Sequence, residues 1–223
     1  MKFTKKTPQE ILKTNKTAIL NFQNLYSVYL FNKIPIFQKA IMSPNNIIFP
    51  DGRILSFFLN TRQVRGPSFT RDFFENKINE KQKHFFIGDK NIKWNKLQEK
   101  YPKLKNIKTY VPPYAKTTFK DQEIEKIVMQ LKKSKPDYVW VCIGNPKQEI
   151  LANQLFKEYL AFYFNVGAAI DFLVGRKKEI PLIFRRMGLE WFYRLVTDFK
   201  YSWRKVWRSL LGLWYLRNIE VEK

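Results

Sequence analysis

The stretch from Pro136 to Glu149, PDYVWVCIGNPKQE, concentrates the residues best suited to chemistry. An apolar run, Tyr138 to Ile143, stops at Gly144. Asn145, Pro146, Lys147, Gln148 and Glu149 follow, and a helical pattern begins at once. A strand, a tight turn and a helix N-terminus in so short a span present free backbone N–H groups and a positive dipole end. A phosphate or diphosphate fits such a place. Lys147 can neutralise phosphate there, and Gln148 can hydrogen-bond a uracil edge, a sugar hydroxyl or a phosphate. The plainer reading is a helix start and nothing more, since Pro146 opens helices well and Glu149 complements the dipole. That reading leaves Asn145, Lys147 and Gln148 together behind a glycine unexplained.

Three further groups can do chemistry. Asp51-Gly52 follows the apolar run Ile47-Ile48-Phe49 and Pro50. An Asp at a strand end facing a cleft can act as a general base toward a hydroxyl, although Asp-Gly is also an ordinary turn. Gly167 to Phe172, GAAIDF, offers small residues where a ligand can approach the backbone, with Asp171 either facing that ligand or capping the next turn. Arg65, in Arg65-Gly66-Pro67, aims a cation at phosphate or lies in a solvated loop. Other machinery is missing. There is no GxxxxGKS loop, no GxGxxG fingerprint and no Asp-x-Asp pair. The chain has one cysteine, Cys142, and one histidine, His84. A disulfide framework and a Cys/His zinc site are therefore excluded, and both residues read as structural.

The elements that must position these groups alternate. Strands are predicted at 17–22, 47–49, 85–88, 107–111, 138–143 and 160–166. Helices are predicted after Thr7-Pro8-Gln9-Glu10 and over 23–32, 54–61, 91–100, 121–133 and 148–158. Alternation argues for an α/β fold: a largely parallel, Rossmann-like sheet with helices on both faces. Ligands bind such sheets beyond the carboxyl ends of the strands. The turns at Pro50-Asp51-Gly52, Gly144–Glu149 and Gly167–Asp171 all fall at such ends and are expected to meet in one cleft.

Composition narrows the partners. The 223 residues carry 41 basic and 19 acidic side chains, a net charge of +22. An anionic partner follows: nucleic acid, a membrane surface or phosphorylated substrates. From Arg176 the character changes, dividing the chain into a core (1–175) and a basic, Trp-rich helical segment (176–223). Trp203, Trp207, Leu210 and Trp214 share one helical face, while Arg204, Lys205 and Arg208 fall largely elsewhere. Such a helix suits a membrane interface, or packing on its own domain or a second subunit. The polar start, MKFTKKTPQEILKTNKT, reads as no signal peptide, and no apolar run approaches the ~18 residues of a membrane span. Membrane contact is thus expected to be peripheral. A basic nucleic-acid-binding module is the competing reading, and it leaves the turn at Gly144 unexplained.

Together these pieces resemble the WecG/TagA/CpsF glycosyltransferases (glycosyltransferase family 26). The resemblance rests on PDYVWVCIGNPKQE (136–149), FNVGAAIDFLVG (164–175) and GLEWFYRL (188–195), with DGR (51–53) and RGPSFTRDFF (65–74) in order. It implies an inverting enzyme at the inner face of the cell membrane. Such an enzyme moves N-acetylmannosamine or a related sugar from a UDP-sugar to a polyprenyl-diphosphate-linked sugar, in teichoic acid, capsule or exopolysaccharide synthesis. It implies no metal or other cofactor. Carried onto this chain, Asp51 is the expected base. Asn21, Gly144, Asn145, Lys147, Gln148, Gly167 and Asp171 are expected at the donor. Arg65, Arg194, Arg204, Trp203 and Trp207 are expected at the acceptor diphosphate and membrane. Expected partners are the UDP-sugar, the lipid-linked acceptor and an anionic membrane, with no nucleic acid and with self-association left open. The chain departs from the family pattern at Ile19, where a Thr is customary, and at Glu179-Ile180-Pro181, where Arg-Ala-Pro is customary. An inactive relative is the third reading.

Overall fold

Strand and helix alternate as the apolar periods predict. The computed structural model describes residues 1–14, 16–78, 80–92, 94–197 and 199–222, without the side chains of Arg185, Arg194 and Tyr201. The chain opens with β1 (Lys2–Phe3) and α1 (Pro8–Leu12), the latter started by a Thr7/Glu10 capping box. It continues through β2 (Ile19–Gln23), α2 (Leu25–Lys33), α3 (Pro35–Ile41), β3 (Asn46–Pro50), α4 (Arg53–Phe58) and α5 (Gly66–Asn76). Next come β4 (Lys83–Ile87), α6 (Trp94–Lys100), β5 (Asn106–Tyr110), α7 (Asp121–Ser134), β6 (Tyr138–Val141), α8 (Lys147–Glu158), β7 (Phe162–Asn165) and α9 (Ala169–Leu173). The last part holds α10 (Leu182–Met187), α11 (Glu190–Thr197), α12 (Phe199–Trp214) and β8 (Glu220–Val221).

β2 to β7 form one six-stranded parallel sheet in the order β3-β2-β7-β6-β4-β5. Period-two alternation sends side chains to two separate cores. Leu20, Phe22, Phe86, Trp140 and Phe164 pack with Phe69, Phe73 and Phe74 of α5 on one face. Ile19, Phe85, Ile87, Val139, Val141 and Tyr163 pack with α7 and α8 on the other. Trp140 is fully buried, with Phe164, Phe74 and Phe73 ring centroids 4.5, 4.8 and 5.1 Å away. Aromatic residues make up 17% of the chain, and many of these rings are core, each buried ring contributing about 2–3 kcal/mol.

Three helices run where no element was predicted, the shortest being α9, which takes up the end of the segment read as a turn at Gly167–Asp171. α3 occupies the Pro35–Ile41 segment. α5 occupies the segment read as a turn at Arg65-Gly66-Pro67: Gly66 and Pro67 are its first residues, and Arg65 precedes it at the cap position. The C-terminal segment is tied to the rest of the chain. α12 packs on α2, β8 pairs in parallel with β1, and Leu213, Tyr215, Leu216 and Ile219 pack against the core around Val28, Phe31 and Phe37.

Candidate active site

Four neighbouring strands, β3, β2, β7 and β6, end at one cleft of about 380 Å³. Asn24 and Leu25 follow β2. Asp51 to Leu55 follow β3. Gly144, Asn145 and Gln148 follow β6, and Val166 to Ala169 follow β7. The three turns expected to meet do meet. Arg65 and Pro67 at the start of α5 add to the wall, as do Glu179, Gly188, Glu190 and Trp191. From α12 come Ser202, Lys205, Val206 and Ser209.

The turn after β6 owes its shape to a closed ring of three side-chain amides and the buried Glu149 carboxyl. Gly144 has φ near +80°, which a residue with a Cβ rarely adopts, and its N–H donates to Gln148 Oε1 at 3.1 Å. Gln148 Nε2 donates to Asn145 Oδ1 at 3.0 Å and to Glu149 Oε1 at 2.8 Å. Gln23 Nε2 reaches the same Glu149 oxygen at 2.9 Å. Asn145 Nδ2 closes the ring on Gln23 Oε1 at 3.0 Å and also reaches Ser27 Oγ at 2.8 Å. Gln148 is only 2% exposed, so its amide mainly fixes the turn and meets the cleft with a small remaining surface. Gly167 comes close, since a Cβ there would stand 3.5 Å from Gln148 Oε1.

The other expected residues divide. Asp51, Arg65, Gly144, Asn145, Gln148 and Gly167 line the cleft. Asn21, Lys147, Asp171, Arg204, Trp203 and Trp207 do not. Asn21 faces the α8 side of the sheet, is fully buried, and is held by Asn165 Nδ2 at 2.7 Å and Asn46 Oδ1 at 2.8 Å. Lys147 donates to Ala115 O at 3.3 Å and stands over the Tyr114 ring. Asp171 is buried and pairs with Arg176 at 2.8 Å and Lys177 at 3.4 Å, which anchors the segment leaving α9. Arg204 lies over the Trp203 ring. Trp203 and Trp207 are 43% and 60% exposed on the outer face of α12, with Leu210 and Trp214. Arg194 lies in α11, and its side chain is outside those described.

Arg53 and Lys205 are wall cations that sequence reasoning did not assign to the site; Lys205 stands on a readable helix face. Its signal was present: Ser202, Lys205, Ser209 and Gly212 recur at three- and four-residue spacing, opposite the tryptophans. Arg65 pairs with Glu190 at 3.5 Å, and Arg71 pairs with Glu179, so acids of the C-terminal segment meet arginines at both ends of α5's first half.

Two buried groups titrate in opposite directions. His84 accepts from Trp140 Nε1 at 3.1 Å, and burial pulls its pKa from 6.5 to about 4. The folded chain keeps it neutral while the unfolded chain protonates it below 6.5. Its contribution, about 3 kcal/mol, is whole above pH 6.5 and is lost as pH falls toward 4. Burial lifts the Glu149 carboxyl from 4.5 to about 7, against hydrogen bonds from Gln23 and Gln148 and the charge of Lys205. Here the folded state holds the proton that the unfolded state releases. Its contribution is whole below pH 4.5 and is lost, again by about 3 kcal/mol, as pH rises to 7. Glu149→Gln keeps the ring and removes the titration. Its stability advantage over the natural sequence should open by about 3 kcal/mol between pH 4.5 and 7 in urea unfolding. A constant difference would show that Glu149 does not carry the effect.

A cleft at the strand ends, with Asp51 on one wall and the Gly144–Gln148 turn on another, invites comparison with known proteins. Residues 2–221 match the sequence profile of the glycosyl transferase WecG/TagA/CpsF family. The chain belongs to this family. Among curated WecG/TagA/CpsF relatives, an N-acetylglucosaminyldiphosphoundecaprenol N-acetyl-beta-D-mannosaminyltransferase of Staphylococcus aureus strain NCTC 8325 is 39% identical over 82 residues, which is 36% of this chain and 32% of the relative. The protein of the same name from strain MRSA252 is 38% identical over 82 residues. The alignment thus spans about a third of these relatives' length.

Proposed function

We propose that this WecG/TagA/CpsF protein is an inverting glycosyltransferase that moves N-acetylmannosamine, or a related sugar, from a UDP-sugar to a polyprenyl-diphosphate-linked sugar. One observation carries the reading. Asp51 and the Gly144–Gln148 turn, the two features that the chemistry needs, stand on the walls of one cleft closed by α12. The donor diphosphate lies against the turn, near the α8 N-terminus and the backbone of Gly167, with Arg65 and Lys205 as cations on the wall. Asp51 takes the proton of the acceptor hydroxyl. That oxygen attacks the anomeric carbon from the face opposite the leaving group, the bond from that carbon to the diphosphate oxygen breaks, and UDP departs with the electron pair.

The acceptor hangs on a lipid, so the cleft must work at a membrane. Ile183, Met187, Val196, Phe199, Trp207 and Trp214 are 60% exposed or more, and all belong to α10–α12. With a net charge of +22, this face suits the anionic inner surface of a membrane. No helix among the described residues is long and apolar enough to cross one.

The deciding experiment is UDP release from UDP-N-acetylmannosamine with a short-chain polyprenyl-diphosphate N-acetylglucosamine acceptor. Acceptor-dependent release, unchanged by excess chelator, is the expected result. No release across a panel of UDP-sugars would overturn the reading. Release that stops on chelation would overturn its metal independence. Steeply salt-dependent DNA or RNA binding without turnover would favour the nucleic-acid module instead.

A further inference from the structure

α4 begins two residues after Asp51, and its first residues, Arg53, Ile54 and Leu55, line the cleft. Leu55 and Ser56 face inward. Phe57 and Phe58 do not: they are 80% and 59% exposed, set edge to face with centroids 5.9 Å apart. Two adjacent, exposed Phe rings on a cleft-forming helix are unusual on a solvated surface, where they neither fill a core nor line the site.

Charge and position say what covers them. Of the four arginines from Gly52 to Arg71, Arg65 and Arg71 pair with Glu190 and Glu179. Arg53 and Arg62, on either side of the Phe pair, are exposed. Aromatic tips flanked by arginines fit an anionic bilayer, where the rings enter the acyl boundary and the guanidinium groups meet the headgroups. The patch also adjoins the apolar C-terminal face. A Cβ on Gly188 would stand 3.6 Å from Arg53, so the turn between α10 and α11 rests on the Arg53 stem. Met187, immediately before it, is 64% exposed.

We propose that Phe57 and Phe58 form a second membrane-inserting tip, on the α4 lip of the cleft, that works together with the α10–α12 face. The proposal rests on the membrane part of the function above. With lipid contacts on both α4 and α12, the mouth of the cleft faces the bilayer, which brings a lipid-borne diphosphate to Asp51 without lifting its chain into water.

Phe57→Cys labelled with a solvatochromic dye reads the contact directly, because Cys142 is buried and leaves the new thiol as the accessible one. Phosphatidylglycerol-containing vesicles should shift the dye emission to the blue, and phosphatidylcholine vesicles should shift it far less. Phe57→Ser with Phe58→Ser should weaken sedimentation with the anionic vesicles by about tenfold or more, at an unchanged melting temperature. A silent dye on a chain that still sediments with vesicles would overturn the second tip and leave the α10–α12 membrane contact standing. A natural chain that does not sediment at all would overturn the membrane reading, and the tip with it. A double variant that differs only in oligomeric state would make the patch a contact between copies and overturn its lipid role.

Discussion

Asp51→Asn should cut turnover at least about a hundredfold, and up to about ten-thousandfold, while leaving the donor KM unchanged or lower. The direction follows from what changes. The amide keeps the shape of the carboxylate, and the Asp51 backbone N–H still donates to Gln23 O, the 2.7 Å bond that seats the turn on β2. What is lost is the ability to take a proton, which matters only as the acceptor oxygen attacks. A loss confined to the transition state lowers kcat and kcat/KM together. Removing a negative charge from the wall of the proposed diphosphate site also works against any rise in donor KM. A purely structural Asp would show the opposite pattern: a lower melting temperature and a higher KM with kcat nearly intact. Turnover within about threefold of the natural protein, in a variant that melts normally, would remove Asp51 from the base role. Asp51→Glu is the companion measurement. It retains a base but moves it by one methylene, and it should recover part of the lost rate if proximity and basicity are both required.

Much of the arrangement around Asp51 was legible in the sequence, for physical reasons that also explain the failures. The central strands β2, β4, β6 and β7, buried on both faces, read as short apolar runs stopped soon after by a Gly or Asn, whereas the half-exposed edge strand β5, NIKTY, read as a strand only through the short Ile107–Val111 run ahead of Pro112. The six sheet strands and the meeting of three turns at their carboxyl ends followed from that. α5 was not legible because its apolar residues, Phe69, Phe73 and Phe74, come late in the helix, after a Gly-Pro pair that marks a turn as readily as a helix start. The β1–β8 pair was out of reach, since two-residue strands over 200 positions apart leave no periodic signal. At the site, side-chain type was legible and orientation was not. Gln148 looks like a ligand contact, yet it is mostly turned into a hydrogen-bonded ring with Gln23, Asn145 and Glu149. That outcome depends on Gln23, which lies 125 positions earlier and faces α8 only because of the register of β2. Lys147 and Lys205 show the same limit from both sides: the lysine in the motif lies off the cleft wall, and the lysine outside the motif is on it.

Gly212→Ala should destabilise the protein and weaken the donor site together, although Gly212 touches neither Asp51 nor the turn. In an exposed helix the exchange would stabilise by about 1 kcal/mol, because glycine is a poor helix former. Here the sign reverses. A Cβ at Gly212 would stand 2.2 Å from the carbonyl oxygen of Leu25, and backbone at the first turn of α2 cannot step aside as a flexible side chain can. α12 must therefore move off α2, and forcing extra atoms into a close-packed contact costs about 1–3 kcal/mol, with a fall in melting temperature of roughly 3–10 °C. The same helix brings Ser202, Lys205, Val206 and Ser209 to the cleft, so the displacement carries the wall with it. Misplacing a positioning group by about 1 Å can cost a hundredfold, and at least a tenfold loss in kcat/KM for the donor is expected, mainly through KM. Trp207→Ala is the control on the outer face of α12: it should weaken vesicle binding while leaving the melting temperature and donor KM in place. If Gly212→Ala melts at or above the natural temperature, the close approach of α12 to α2 is not what holds the cleft wall. Loss of stability with an unchanged donor KM would separate the packing of α12 from the cleft, and the proposed part of Lys205 in holding the diphosphate would fall with it.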